Sequence, residues 1–431
     1  MNWNRVTAVY IAIATIMSPV LFPLLLTPVD NDVWFHISMV RDMRQSGDLF
    51  PLEIGWRNAP HGIPLWYPIL FHWVLYAFSL GGLIDLVIVA VLAQLLLFPC
   101  ALIAVFFLAN YINNSRVAFF SVVLVSTFFP FFSRTHNCIP EAFQHILIPL
   151  TILAYLKGYS KSCGLLLTLQ FLNHLLDPFL VLSFIAVHRI WSKSVRSFSL
   201  SQMVIFALPG GVMQLWWLIR RALSPLTLYT VQSGYWSEVI LNGILPSYFL
   251  TLMVIYALFK RINIPQRILI LLWIISLQPV LFSKLASRFP AYYVTPASLL
   301  VAPVLTRLGN KLLAPEMLRW TFLFFASVAF SFFFFGHTHD LTVPAVSPQQ
   351  RSALQWIETH TPQNAIILVD PGRTRYDGYR IYFFTKRRVT ELSTSADFHL
   401  SLLPDPESSA WRLSVEFDGI YIYKRRGGDD R

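Results

Sequence analysis

The stretch VDNDVWFHISMVRDM, Val29 to Met43, sets Asp30, Asp32 and His36 directly after an apolar segment of membrane length. Carboxylates gathered with a histidine can hold a divalent cation or accept a proton. Asp32 and His36 are four apart and share a face if the segment is helical. The same residues also make an ordinary helix start, with Asp32 as N-cap and acids favoured by the dipole. A second acidic site is FSRTHNCIPEAFQHIL, Phe132 to Leu147, with His136, Glu141 and His145. One carboxylate from each of two loops is enough to clamp Mg2+ or Mn2+ together with a phosphate. Pro140–Glu141 reads equally as a plain first helical turn. SGYWSEVILNGILP carries Glu238, a solvated loop acid unless its surroundings say otherwise. SKLASRFPAYYVTP carries Lys284 and Arg288. An arginine there can pair in a fork with phosphate, or snorkel to lipid headgroups. NHLLDP places His174 and Asp177 at a break between two short apolar runs. Ionisable groups at such depth are either functional or a satisfied polar kink.

The elements that must position these residues are membrane helices. Of 431 residues, 55% are hydrophobic and only 13% charged. Several runs reach the length of about 18 apolar residues expected of a span. A soluble core of this chain length could not bury them all. The expected spans are 6–28, 84–109, 116–132, 142–157, 163–176, 178–190, 201–221, 240–259, 268–285, 289–305 and 318–336. The first is too long and lacks the cleavage site of a signal peptide, so it reads as a retained helix. These runs define a polytopic α-helical protein with about 11 crossings, N-terminus cytoplasmic and C-terminus extracytoplasmic.

Positive charge supports that orientation. Arg5, Arg116, Lys157, Lys161, Arg189, Lys193, Lys260, Arg261, Arg267 and Arg307 fall on the inner side. Arg134, Arg220, Arg221, Lys284 and Arg288 fall outside and break the rule. The formal net charge of +11 therefore reads as loop charge, and nucleic acid is not an expected partner. Segment 64–82 is read as a Trp- and Tyr-bearing helix lying at the outer surface, so that one long outer loop runs over 29–83. The transmembrane domain then covers 1–340. Residues 347–431 change texture: a capped helix at Ser347–Pro348, a strand in NAIILVD, and a final hairpin in WRLSVEF and GIYIYKRR. They form a small extracytoplasmic α/β domain. Cys100, Cys138 and Cys163 have no metal-ligand spacing. The chain has no phosphate-binding glycine loop, no Ser–His–Asp spacing and no zinc pattern. NNS at 113–115 lies in an inner loop and is discounted as a glycosylation acceptor.

In order, these sites resemble the GT-C class of polyprenyl-dependent glycosyltransferases, above all the single-chain relatives of the oligosaccharyltransferase catalytic subunit. NDVWFHISMVRDM is similar to the family's first acidic motif, an Asp followed by an amphipathic outer helix. NCIPEAF stands where the second acidic motif falls, YWSEV where a Glu-bearing loop falls, and SRFPAYYVTP where the arginine motif falls. ALQWIETHTPQNAIILVD resembles the start of the family's outer domain. The resemblance implies that Asp32 coordinates metal and engages the acceptor, and that Glu141 is a second metal ligand. It implies that Arg288, with Lys284 beside it, faces the lipid-linked phosphate or pyrophosphate, and that Glu238 is a loop acid near the site. Asp30, His36, His145, His174 and Asp177 are further candidates by position. The family's Trp-Trp-Asp-Tyr-Gly acceptor signature is absent; VDPGRTRYDG stands near its place.

The expected activity is transfer of a sugar or glycan from a polyprenyl-linked donor to a protein, glycan or lipid acceptor outside the plasma membrane. The cofactor implied is Mg2+ or Mn2+. The rival readings are a lipid-linked glycan transporter and a non-catalytic relative. For the orientation, a membrane-impermeant reagent on intact cells is expected to reach a C-terminal tag and not an N-terminal one. The reverse labelling overturns it.

Overall fold

The computed structural model describes residues 2–21, 31–51, 53–55, 63–64, 68–174, 177–191, 198–223, 289–312, 348–369, 377–390, 396–401, 411–417 and 420–425. In chain order the helices are α1 (Trp3–Leu21), α2 (Asn31–Ser46), α3 (Leu70–Phe78), α4 (Leu86–Ile112), α5 (Ser115–Ser126), α6 (Phe129–Thr135), α7 (Pro140–Leu156), α8 (Ser160–Asn173), α9 (Asp177–Trp191), α10 (Leu200–Leu223), α11 (Phe289–Leu312), α12 (Pro348–His360) and α13 (Asp377–Thr385). The strands are β1 (Glu53–Ile54), β2 (Ile63–Pro64), β3 (Ile366–Val369), β4 (Arg388–Thr390), β5 (Phe398–Ser401), β6 (Trp411–Phe417) and β7 (Ile420–Arg425).

The chain divides into two compact units, residues 1–25, 93–220 and 228–339 in one, and 26–92, 221–227 and 340–431 in the other. The first is helical. Two of the described helices, Leu86–Ile112 and Leu200–Ile219, are long and apolar enough to cross a membrane. On α10 the side chains of Val204, Leu208, Leu215 and Ile219 are exposed. A row of this kind is stable against lipid and unfavourable against water. The expected span 116–132 is two helices. Thr127 and Phe128 break it, and Pro130 opens α6. The NNS triplet has a structural use, because Asn114 caps α5 by accepting from the backbone N–H of Arg116 and Val117. The expected spans 240–259, 268–285 and 318–336 lie outside the described residues.

Helices α8 and α10 meet backbone to backbone. A Cβ on Gly164 would collide with the Met203 carbonyl, and one on Gly210 would come within 2.7 Å of Thr168 Cα and O. Thr168 Oγ1 donates to the Phe206 carbonyl at 2.7 Å across the same contact. Small residues permit such an approach where no hydrophobic force between helices is available.

In the second unit, α2 packs on α3 and on α13. Val33 through Val40 are all buried, so α2 buries most of its circumference along that stretch. The expected amphipathic helix is thus a packed one. Segment 64–82 contributes a shorter helix than expected. Ile63–Pro64 pairs with Glu53–Ile54 as a β-bridge, and α3 starts only after Pro68. The C-terminal part is a five-stranded mixed sheet of order β4-β3-β5-β7-β6. Strands β3 and β4 are parallel and joined through α13, as a crossover requires. Strands β6 and β7 form the expected final hairpin, with a bulge between Leu413 and Val415. Buried Arg387 donates to the carbonyls of Glu358 and Thr361 at 2.9 and 2.7 Å, capping the C-terminal end of α12.

Gly164→Val and Gly210→Val are each expected to destabilise the protein by about 1–3 kcal/mol through overpacking. Gly211→Ala, where nothing lies within 4 Å of the added carbon, is expected to be silent. Thermal melting of the purified chain reads this, and equal shifts for all three variants would contradict the close contact.

Candidate functional site

In the helical unit, three helix ends and two further helices bring ionisable side chains together. Pro140 occupies the first turn of α7, where its missing N–H costs nothing, and Glu141 sits beside it near the positive end of the dipole. Helix α8 stops at Asn173, and His174 turns extended. Asp177, followed by Pro178, opens α9. The Asn173 side chain donates to the Pro140 carbonyl at 2.7 Å and so ties the end of α8 to the start of α7.

Around this junction the charges form a chain. Arg134 Nη1 lies 3.5 Å from Glu141 Oε2, and His174 Nε2 lies 3.7 Å from Glu141 Oε1. The other ring nitrogen, His174 Nδ1, is 3.1 Å from Asp177 Oδ2, within ion-pair distance but without hydrogen-bond alignment. Tyr292 on α11 donates its hydroxyl to the same Asp177 oxygen at 2.8 Å. The ring of His145, one turn along α7 from Glu141, stands 4.9 Å from that of Tyr292. Glu141 and Asp177 are only 3% and 2% exposed. Acidic groups so far from water require polar partners within the protein, and Arg134, His174 and Tyr292 supply them.

Sequence reasoning singled out Glu141, His145, His174 and Asp177, and the structure gathers all four. It named no role for Arg134 or Tyr292. Arg134 was visible as an outer arginine seven residues ahead of Glu141. Tyr292 stood inside the SRFPAYYVTP motif with nothing to distinguish it from Tyr293.

In the second unit, Asp32 lies half-buried in the first turn of α2, inside the helix and not at its cap. His36 is one turn further along, but its Nδ1 stands 3.1 Å from Nε2 of His72 on α3. Helix α2 is gripped by α13. The Trp34 ring packs 5.0 Å from both Phe383 and Phe384. Arg41 donates to the carbonyls of Tyr382 and Phe383 in the last turn of α13, and the Tyr382 hydroxyl donates to Asp42 at 2.6 Å. A cation on the last carbonyls of a helix is favoured by the helix dipole. Asp30, Glu238, Lys284 and Arg288 lie outside the described residues.

Among the described residues no three His, Cys, Asp or Glu side chains are grouped to hold a metal. One oxygen of Glu141 faces a guanidinium and the other an imidazole. As grouped, the described residues do not fit a divalent cation.

No family profile matches the sequence, and no curated protein is similar to it in sequence. Solved structures are similar in fold. The oligosaccharyltransferase of Archaeoglobus fulgidus, crystallised with Zn and sulfate, aligns at 14% identity and a TM-score of 0.60 over 90% of this chain. The same protein was also solved with an inhibitory peptide and a dolichol-phosphate, at 14% identity and a TM-score of 0.59 over 91% of this chain. This chain spans only 62% and 65% of the length of those two structures. ArnT from Cupriavidus metallidurans bound to undecaprenyl phosphate aligns at 12% identity with a TM-score of 0.65, over 98% of this chain and 97% of its own. The fold is therefore that of the GT-C glycosyltransferases, a class of multi-pass membrane proteins.

Burial pushes the His72 pKa down to about 3, and burial together with His72 holds His36 well below its ordinary value. Both rings are neutral in the fold and titrate near about 6.5 in the unfolded chain. The folded state then binds fewer protons below about pH 6.5, so the pair's stability is full above that pH and is lost as pH falls. Acidification from pH 7 to 5 is expected to loosen α2 and α3 by up to about 1.4 kcal/mol per pH unit per histidine. Hydrogen exchange on the two helices measures it. The slope is expected to flatten in the His36→Gln/His72→Gln double variant, and an unchanged slope there would contradict the assignment.

Proposed function

We propose that the chain is an integral-membrane glycosyltransferase that takes a sugar from a polyprenyl phosphate or pyrophosphate donor at the extracytoplasmic face. The observation that carries this reading is the end-to-end likeness in fold to a transferase solved with undecaprenyl phosphate, covering 98% of this chain and 97% of that one. The archaeal structures are longer, and this chain spans less than two thirds of their length.

In the reaction, an acceptor oxygen or nitrogen attacks the anomeric carbon of the donor sugar. The new glycosidic bond forms as the bond from that carbon to the phosphate oxygen breaks. The acceptor proton passes to Asp32, acting as general base from the first turn of α2. The electron pair stays on the departing lipid phosphate, whose charge is met by Arg288 and Lys284. Glu238 would border the acceptor side. Asp30 and His36 would be neighbours of Asp32 by position, with His36 turned into the packing against His72. The grip of α13 on α2 supports a role for the 347–431 domain in holding the 29–83 loop that presents Asp32 to the acceptor.

Asp32→Asn is expected to lower transfer of radiolabelled sugar from a synthetic polyprenyl donor by about 100-fold or more, the scale of a lost general base. Arg288→Gln is expected to raise KM for the donor as well. Both are assayed in Mn2+-containing buffer with a mixed pool of protein, glycan and lipid acceptors. Transfer unaffected by Asp32→Asn would contradict the mechanism. Movement of donor across the bilayer without sugar release would favour the transporter reading, and neither activity in the wild type would favour a non-catalytic relative.

A further inference from the structure

We propose that Arg134 is an anion-binding residue that takes the phosphate of the lipid-linked donor, and that Glu141 is the positioning residue that holds its guanidinium. The inference deepens the glycosyltransferase reading and rests on it.

Arg134 stands in the last turn of α6, immediately before the α6–α7 junction. Its side chain is 27% exposed, while that of its partner Glu141 is 4% exposed. The guanidinium is thus joined through Nη1 to a buried carboxylate while its side chain stays partly exposed. A guanidinium carries five N–H donors in a planar fork. Among the described residues, protein acceptors take only Nη1, at the long distance of 3.5 Å. The remaining donors are those that a phosphate would engage in a fork.

The buried side explains why the arm keeps its place. Glu141 is backed by His174, His174 by Asp177, and Asp177 by the Tyr292 hydroxyl. These groups come from α7, the end of α8, the start of α9 and α11, so the anchor is fixed by the packing of the helices. An arginine held this way gives up little side-chain freedom when an anion arrives, which is the usual source of affinity at a prepared site. The arrangement also gives Glu141 a use other than metal ligation. Its charge offsets one edge of the guanidinium and leaves the remaining N–H donors for an anion.

A phosphate carried on a lipid can belong to the polyprenyl donor or to a bulk phospholipid headgroup, and the test separates them. Binding of radiolabelled undecaprenyl phosphate is measured for the full chain in phosphatidylcholine nanodiscs, and again with phosphatidylglycerol as competitor. Arg134→Gln is expected to weaken binding about 10-fold or more, the scale of a lost charge-assisted hydrogen bond. Arg134→Lys, which keeps the charge and loses the fork, is expected to fall between it and wild type. Glu141→Gln is expected to weaken binding several-fold. The double variant Arg134→Gln/Glu141→Gln is expected to be no worse than Arg134→Gln alone, because the carboxylate acts through the arginine. Monodispersity and melting of each variant are followed in parallel, so that a misfolded variant is set aside and Arg134→Lys decides.

Wild-type affinity in both Arg134 variants overturns the proposal, as does equal competition by phosphatidylglycerol, which assigns the arginine to the headgroup layer. Arg134-dependent binding in a wild type that transfers no sugar supports the anion site and overturns the enzyme reading. Sugar transfer by a wild type whose Arg134→Gln variant binds and turns over normally overturns the anion site alone. A wild type that binds no polyprenyl phosphate overturns both.

Discussion

A carboxylate removed from water must find its countercharge inside the protein, and the helical unit is organised around that requirement. Glu141 and Asp177 are almost fully buried among apolar helices. Isolated, each would be strongly unfavourable. They are tolerated because the ends of α7, α8 and α9 converge, placing an imidazole between the two acids, a guanidinium outside one and a phenol beside the other. Two of those helix ends are N-termini, whose dipoles favour the acids they carry. The breaks at Pro140 and Pro178 are therefore what allow the charges to meet. A continuous helix through either position would carry its acid past the junction.

The second unit solves a different problem. Helix α2 carries Asp32 but also Trp34, Phe35, Ile37, Met39 and Val40, all buried. A helix buried along this much of its surface cannot rest on water or on one partner. Helix α3 covers one side through the His36–His72 contact, and the Tyr382–Phe384 segment of α13 covers another. The chain thus brings residues 26–92 and 340–431 into one compact unit. Helix α13, which joins β3 to β4, thereby links the sheet to α2.

Hydrophobic run length located the described helices well. The runs at 84–109, 142–157, 163–176, 178–190 and 201–221 correspond to helices α4, α7, α8, α9 and α10 within a few residues, and of these α4 and α10 are long and apolar enough to cross a membrane. Length and composition decide these elements, and both can be read from one chain. The break within 116–132 was missed because Phe128 and Phe129 are as apolar as the residues around them. Only Pro130 marked it. Pairing was less legible. Tyr292 reaches Asp177 across 115 residues of sequence, and His72 reaches His36 across 36. Contacts of that kind are set by how helices pack, which no local pattern encodes. The acids were legible as unusual residues, since charge is rare in this chain, and a cation was expected from their types as well as from the resemblance, but their partners were not legible. Arg134 was noted only as one of five cationic exceptions to the expected charge distribution, with nothing in the sequence to pair it with Glu141.

The most direct test of the account is a cryo-electron microscopy structure of the full chain in a lipid nanodisc with a polyprenyl phosphate bound. The account predicts the phosphate within hydrogen-bond reach of Arg134, with Glu141 still set between that guanidinium and His174. A phosphate seated away from Arg134, or Glu141 withdrawn from the arginine to ligate a metal ion, would contradict it.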